Sequence, residues 1–216
     1  MNIILFGPPG AGKGTQADKI ATNFNLHKIS TGDLLRGESK NDSPLGKKIK
    51  SLLDKGDFVA DEIIDNIIEN KLINKKVNSS LIFDGYPRNI NQAKKLDILI
   101  KKYNTKISCV LVLDVSKDTI IKRILGRQIC TKCGLIFNIY FNPATNKNHT
   151  CEKKFLRKRS DDSENIIMER FETYLNKTLP ILEFYKKQNI LHQINGACEI
   201  NQIYKEISEI IASLET

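Results

Sequence analysis

The sequence predicts an α/β fold with a five-stranded parallel sheet that is covered by helices on both faces. Short apolar segments alternate with longer amphipathic ones along most of the 216 residues, and this alternation is typical of parallel sheets with helical crossovers. Ligands of such sheets bind beyond the carboxyl ends of the strands. The strand candidates are residues 2–6, 28–30, 81–84, 109–114 and 190–194. The helical patterns are residues 13–24, 32–39, 45–54, 61–72, 90–103, 117–125, 163–188 and 199–214.

The first strand candidate runs directly into a glycine-rich segment, residues 7–15, with the sequence GPPGAGKGT. Its four glycines let the backbone curl so that several N–H groups point inward at the positive end of the following helix. Such a nest binds phosphate oxygens, and Lys13 adds a mobile ammonium for the outer phosphates. The usual hydroxyl residue after the lysine is replaced by Gly14, and the hydroxyl follows as Thr15. The segment predicts a P-loop NTPase-like fold that binds a nucleoside triphosphate.

Composition indicates a globular enzyme of the cytoplasm. Hydrophobic residues make up 40% and charged residues 27% of the chain, which argues against disorder. No apolar run approaches the ~20 residues of a membrane span, and the first six residues are too short for a signal peptide. Five cysteines without an export signal predict thiols or metal ligands in place of disulfides.

The net charge of +9 raises the alternative of a nucleic-acid-binding module, but the basic residues are dispersed. Such a module needs a clustered basic and aromatic face, whereas the lysines here occur mostly as scattered pairs on helical patterns. Arginine is rare, and we expect it where a planar fork must hold phosphate. The seven arginines are Arg36, Arg88, Arg123, Arg127, Arg157, Arg159 and Arg170.

Together these segments resemble the adenylate kinases with a long lid, within the nucleoside monophosphate kinases. The likeness extends from residue 1 to about residue 210. It rests on residues 7–15, 30–36 (STGDLLR), 83–88 (FDGYPR) with Gln92, 122–127 (KRILGR), 159–162 (RSDD) and Arg170. All of the arginines except Arg157 fall on phosphate-contacting positions of the family.

The resemblance implies reversible, Mg²⁺-dependent transfer of the terminal phosphoryl group of ATP to AMP, giving two ADP. It implies catalytic roles for Lys13, Arg88, Arg123, Arg127, Arg159 and Arg170. The ATP site would comprise Gly10, Ala11, Gly12, Lys13, Gly14, Thr15, Arg123, Arg127, Ile136, Phe137 and Cys198. The AMP site would comprise Thr31, Arg36, Asp57, Phe58, Val59, Gly85, Tyr86, Pro87, Arg88, Gln92, Arg159 and Arg170.

The resemblance also divides the chain into a core and two mobile lobes. The core would comprise residues 1–29, 60–127 and 161–216, the AMP-binding lobe residues 30–59, and the lid residues 128–160. Closure of both lobes would bring the arginines together and expel water. Asp84, at the end of a strand, would hold Mg²⁺ through water. We expect a monomer that binds ATP, AMP and ADP, without nucleic acid or membrane.

Three questions stay open at the level of the sequence. Uridylate or cytidylate kinases, or a relative that uses GTP as donor, share most of these motifs, and a non-catalytic nucleotide switch would share the P-loop. Cys130, Cys133 and Cys151 suggest a zinc site in the lid, which needs four ligands. Lys154 occupies the family's fourth position, so either His149 substitutes, at a cramped spacing, or the lid has lost its metal.

Overall fold

A computed structural model of the chain describes residues 1–55, 59–74, 80–159 and 161–214. Its strands lie close to the predicted positions, and three further short strands lie in the region predicted as the lid. In chain order the strands are β1 (Asn2–Phe6), β2 (His27–Ser30), β3 (Leu81–Asp84), β4 (Cys109–Asp114), β5 (Arg127–Cys130), β6 (Ile136–Asn138), β7 (Leu156–Arg157) and β8 (Leu191–Asn195).

Five of these strands form one parallel sheet in the order β2-β3-β1-β4-β8. This confirms the predicted fold class. Asp84 at the end of β3 lies in register with Leu5 of β1 on one side and with Ser30 of β2 on the other. The glycine-rich segment after β1, the residues after β2 and Asp84 therefore meet at the same edge of the sheet, where a ligand of a parallel sheet binds.

The helices begin and end within two residues of the predicted bounds, with one exception. They are α1 (Lys13–Asn23), α2 (Thr31–Glu38), α3 (Pro44–Lys55), α4 (Asp61–Asn74), α5 (Ile90–Lys102), α6 (Lys117–Leu125), α7 (Glu164–Thr173), α8 (Pro180–Lys186) and α9 (Ile200–Ser213).

The exception is the single helix predicted over residues 163–188, which the structure divides. A π-helical turn, Tyr174–Thr178, separates α7 from α8. Pro180 has no N–H to donate to the preceding turn, and the N–H of Leu179 reaches back five residues to the carbonyl oxygen of Tyr174 (2.8 Å). The prediction of one regular helix was wrong at this point because it did not take account of Pro180.

The hydrophobic core lies on both faces of the large sheet, as expected for a covered parallel sheet. The side chains of β1 alternate between two apolar clusters. Ile4 and Phe6 belong to the cluster under α4, α5 and α8, whereas Ile3 and Leu5 belong to the cluster under α1, α6 and α9. Among the described residues, no helix has the length and apolar character needed to cross a membrane.

Residues 127–157 carry a second, antiparallel sheet in the order β6-β5-β7. Arg127 in β5 pairs with Asn138 in β6, next to the carboxyl end of α6. This part of the chain thus departs from the strand–helix alternation, and it coincides with the region predicted as the lid. The boundaries of the core, the AMP-binding lobe and the lid stay a prediction.

Candidate active site

The glycine-rich segment forms a tight loop between β1 and α1. Gly7, Gly10 and Gly12 adopt positive φ values of 147°, 81° and 98°. Residues other than glycine rarely adopt this backbone conformation. A Cβ atom at Gly10 would also lie 2.6 Å from Cγ1 of Ile124. The Nζ atom of Lys13 folds back over the loop and donates to the carbonyl oxygens of Gly7 (2.7 Å) and Pro8 (2.9 Å).

Above this loop lies a cavity of about 750 Å³ at the carboxyl edge of the sheet. It is large enough for an extended, drug-sized ligand. It collects residues from the loop, from the end of β3, from α2, α6 and α7, and from the second sheet. Among the predicted site residues, its lining contains Gly10, Ala11, Gly12, Lys13, Gly14, Thr15, Arg36, Val59, Asp84, Gly85, Pro87, Arg88, Arg123, Arg127, Ile136, Phe137, Arg159, Arg170 and Cys198.

All six arginines on which the resemblance rests line this cavity. Two of them are held by consecutive aspartates. Arg127 forms a two-pronged ion pair with Asp162 through Nε (2.8 Å) and Nη2, and Nη1 of Arg170 donates to Asp161 (2.8 Å). These carboxylates fix the guanidinium groups while leaving further N–H donors for a ligand.

Two further cations of the cavity, Arg159 and Lys13, lie where burial disfavours their charge. Nε of Arg159 is buried and has no hydrogen-bond partner in the described part of the chain. Burial, together with the charge of Arg127, lowers the pKa of Arg159 to about 10. Burial likewise lowers the pKa of Lys13 to about 8, and the positive charges of three nearby arginines add to this effect against the opposing charge of Asp84. Such crowding favours a polyanionic ligand.

Arg88 lies at the end of the cavity nearest β2. Its Nε donates to the carbonyl oxygen of Gly85 (2.8 Å), and its Nη2 donates to the hydroxyl of Thr31 (3.3 Å). Thr31 in turn donates to the same Gly85 carbonyl (2.8 Å). Gly85 has a positive φ of 76°, and a Cβ atom there would lie 2.9 Å from Oγ1 of Thr31. Glycine is therefore required for this close packing around the guanidinium group.

Some predicted site residues lie behind the cavity wall. Thr31, Tyr86 and Gln92 are each 2% exposed and support residues that line the cavity. The amide of Gln92, which the resemblance places in the AMP site, donates from Nε2 to Asp61 (2.7 Å) and accepts the backbone N–H of Arg88 at Oε1 (2.7 Å). Asp57 and Phe58 lie outside the described residues.

Sequence reasoning missed several residues of the cavity. Phe141 lies under the guanidinium of Arg123 (5.5 Å), and Tyr140 lines the cavity beside it. Both follow β6, in the aromatic stretch 137–141, of which only Phe137 was predicted as a site residue. Asp161 and Asp162 stand in the predicted RSDD motif, and two carboxylates beside an arginine-rich site could have been recognised as its internal counterions.

A second cluster of functional groups lies in the small sheet. Cys130, Cys133, His149 and Cys151 place one ligand atom each within 4.8 Å of one another. His149 is 7% exposed, packs edge-on against Phe137 at 4.8 Å, and its buried Nε2 has no hydrogen-bond partner within the described residues. Three thiols and one imidazole form a donor set that binds tetrahedral zinc, so these residues fit the metal.

The fourth member of this cluster is His149, whereas the family's pattern places the fourth ligand at Lys154. Nζ of Lys154 pairs with Glu152 (2.9 Å) and lies over the ring of Phe155. His149 occupies the cluster because a turn precedes it, in which its N–H donates to the carbonyl oxygen of Thr145 (2.8 Å). This turn makes the short His-x-Cys spacing compatible with a common centre.

A P-loop, a polar edge of a parallel sheet and a ring of arginines define a phosphoryl-transfer enzyme that handles nucleotides. Comparison with known proteins agrees with this class. The sequence model of the family described as adenylate kinase matches residues 5–190. The chain belongs to the adenylate kinase family.

Curated relatives match the chain over its full length. It is 47% identical to an adenylate kinase of Pelagibacter ubique (strain HTCC1062), with 98% of this chain and 99% of the relative covered. It is 42% identical to an adenylate kinase of Methanothrix thermoacetophila, with both chains covered completely. An adenylate kinase of Bacillus velezensis is 37% identical, with 99% of each chain covered.

Proposed function

We propose that the cavity holds MgATP and AMP together and transfers the terminal phosphoryl group of ATP to AMP, reversibly, to give two ADP. Membership of the adenylate kinase family supports this reaction over pyrimidine acceptors, a GTP donor or a non-catalytic switch. The observation that carries the assignment to this cavity is its charge. Lys13 and six arginines converge on it, and cations outnumber carboxylates in its lining. This environment suits the triphosphate of ATP and the phosphate of AMP brought end to end.

The ATP end of the cavity is assigned to the P-loop. The loop's N–H groups at the start of α1 would hold the phosphates, and Lys13 would leave the Gly7 and Pro8 carbonyls for the outer phosphate oxygens. Arg123, Arg127, Ile136, Phe137 and the segment at Cys198 would surround the rest of the nucleotide. Asp84, which faces Gly14 at the end of β3, would orient the Mg²⁺ of MgATP through water.

The AMP end is assigned to Arg88 and Arg36, with Val59, Gly85 and Pro87 beside them. Arg88 is pinned at Nε and Nη2, and it keeps its remaining N–H donors for the AMP phosphate. Arg159 and Arg170 also line the cavity, and they would meet the phosphoryl group in transit. Since no covalent nucleophile is needed, the residues act by positioning and by stabilising charge.

A phosphotransfer panel tests this function. Purified protein with Mg²⁺ and ATP is given AMP, CMP, UMP or GMP, and AMP is also offered with GTP; product diphosphates are measured. We expect rapid formation of ADP from ATP and AMP, and its loss when Mg²⁺ is omitted. A Lys13→Met sample serves as the blank for contaminating kinases. Tight ATP binding without transfer to any acceptor would contradict the proposal and favour a nucleotide switch.

The lid cluster is proposed to hold one structural Zn²⁺ through Cys130, Cys133, His149 and Cys151. The metal would join β5, the segment after it and the turn before β7, since these elements supply the ligands. Held by three thiolates and one imidazole, the metal would cross-link and so stabilise a small sheet with little apolar core of its own. None of these four residues belongs to the described lining of the cavity, so the metal would take no part in the transfer.

Metal content and thermal unfolding test the zinc site. We expect about one zinc per chain by mass spectrometry of the purified protein. His149→Ala should lose the zinc on dialysis and lower the Tm by about 5 °C or more. His27→Ala removes an exposed histidine at the start of β2 and should leave both values unchanged. A wild-type protein that carries no zinc, and whose Tm does not change when a chelator is added, would contradict the proposal of a metal in the lid.

We also propose that the chain works in the cytoplasm as a monomer, and that lobe and lid move about the borders near Ser30, Ala60, residues 126–127 and residues 161–162. The family's reaction supports the motion, because water must be expelled before the phosphoryl group is transferred. The ion pairs of Arg127 and Arg170 with residues 161–162 lie at one of these borders.

A further inference from the structure

Two carboxylates of α4 face the segment that carries Arg88. Asp61 begins the helix and Asp65 follows one turn later, so both side chains lie on the same face. Oδ1 of Asp65 accepts the hydroxyl of Tyr86 (2.8 Å). Asp61 accepts the amide Nδ2 of Asn89 and the amide Nε2 of Gln92, each at 2.7 Å. The two carboxylates thus grip residues 86–92 at three points, on both sides of Arg88.

The link from Asp61 to Arg88 runs through Gln92. Oε1 of Gln92 accepts the backbone N–H of Arg88 (2.7 Å), while its Nε2 donates to Asp61. Only one orientation of the amide satisfies both partners, because a backbone N–H requires an acceptor and a carboxylate requires a donor. Asp61 therefore fixes the direction of the Gln92 amide, and the amide fixes the backbone at Arg88.

The second contact is buried and fully partnered. Asp65 is 7% exposed and Tyr86 is 2% exposed. Nζ of Lys95, on α5, lies 3.1 Å from Oδ2 of Asp65 and balances its charge. Burial and the hydrogen bond to Asp65 raise the pKa of Tyr86, so the phenol stays protonated and remains a donor. A buried carboxylate with two good donors holds its partners in a single geometry.

We infer that Asp61 and Asp65 are positioning residues for the acceptor site: α4 holds the segment 86–92 so that Arg88 is aimed before AMP arrives. This rests on the AMP role proposed above for Arg88. Neither carboxylate belongs to the described lining of the cavity, so each acts only through the residues that it holds. Preset geometry of this kind determines the efficiency of a phosphoryl-transfer site.

The substitution Asp61→Asn tests the inference. Asparagine keeps the shape but offers one carbonyl oxygen where two donors, Asn89 and Gln92, must be met, so one contact is lost. We expect KM for AMP to rise about tenfold or more, with KM for ATP within about twofold of wild type. Glu62→Gln is the matched control. It removes the same charge from the first turn of α4 at an exposed position, and both KM values should stay within about twofold.

A purely structural role would lower the Tm of Asp61→Asn and leave the two KM values in their wild-type ratio, and that result would overturn the inference. Tyr86→Phe decides the matter if Asp61→Asn does not fold, since it removes one oxygen and keeps the ring. It should raise KM for AMP about threefold or more, again without changing KM for ATP. An unchanged KM for AMP in Tyr86→Phe would overturn the inference. Failure of the proposed function would be seen separately, as a wild-type protein that makes no ADP from AMP.

Discussion

Arg88→Lys is expected to lower kcat/KM for AMP by about 10²–10³-fold while changing KM for ATP by less than about threefold. Lysine keeps the charge but loses the planar fork. In the structure that fork is used at Nε by Gly85 and at Nη2 by Thr31, and Arg88 lines the cavity. A lysine ammonium cannot satisfy these two partners and a phosphate with the same geometry. Steady-state kinetics with AMP and ATP varied in turn measure both constants.

Arg157→Lys is the matched control for this experiment. Arg157 is the arginine that lies outside the resemblance, and it is exposed in β7, where its Nη1 donates to the carbonyl oxygen of the neighbouring Leu156 (3.0 Å). The same chemical change there should leave all constants within about twofold. Equal effects of the two substitutions, or a wild-type kcat/KM in Arg88→Lys, would remove Arg88 from the acceptor site. Burial lowers the pKa of Arg88 to about 10, so its guanidinium group is still positively charged at neutral pH.

The local sequence was sufficient to predict the large sheet and the phosphate-binding loop. Beside a glycine-rich turn, an apolar run such as Ile3-Ile4-Leu5 predicts a buried strand. The positive φ values of Gly7, Gly10 and Gly12 require glycine at those positions. The rarity of arginine in a lysine-rich chain also identified the cavity residues. Six arginines spread from residue 36 to residue 170 line one cavity, and Arg157, which did not match the family's positions, lies outside its described lining.

Contacts between distant segments could not be predicted in the same way. The orientation of the Gln92 amide depends on Asp61, which lies 31 residues earlier, and no periodicity or motif encodes such a pair. His149 joins the three cysteines only because a turn at Thr145 redirects the chain. The π-helical turn before Pro180 depends on which partners the neighbouring backbone groups find, because Pro180 supplies no N–H. In each case the decisive fact is a three-dimensional partner.

Lys13→Met is expected to lower kcat/KM for ATP by about 10³-fold. Methionine fills a similar volume without charge, so the loop should keep its fold while the outer phosphates lose their cation. Lys19→Met, on the same helix, is the control. Lys19 itself does not belong to the described lining of the cavity. Its Nζ donates to Asn201 and lies over the ring of Tyr204, and its loss should change kcat/KM by less than about threefold. A similar fall in both variants would point to damage to α1 in place of a lost phosphate contact.

The lowered pKa of Lys13 gives this residue a pH signature as well. Burial reduces its pKa from the ordinary 10.5 to about 8, so the free enzyme loses the Lys13 proton as pH rises through 8. At pH 9 only about a tenth of the free enzyme carries the charge, and kcat/KM for ATP should fall about tenfold for each pH unit above 8. Bound phosphate stabilises the ammonium, so kcat at saturating ATP should hold to higher pH. In Lys13→Arg, whose guanidinium does not titrate in this range, the fall near pH 8 should disappear; its persistence would assign that ionisation to another group.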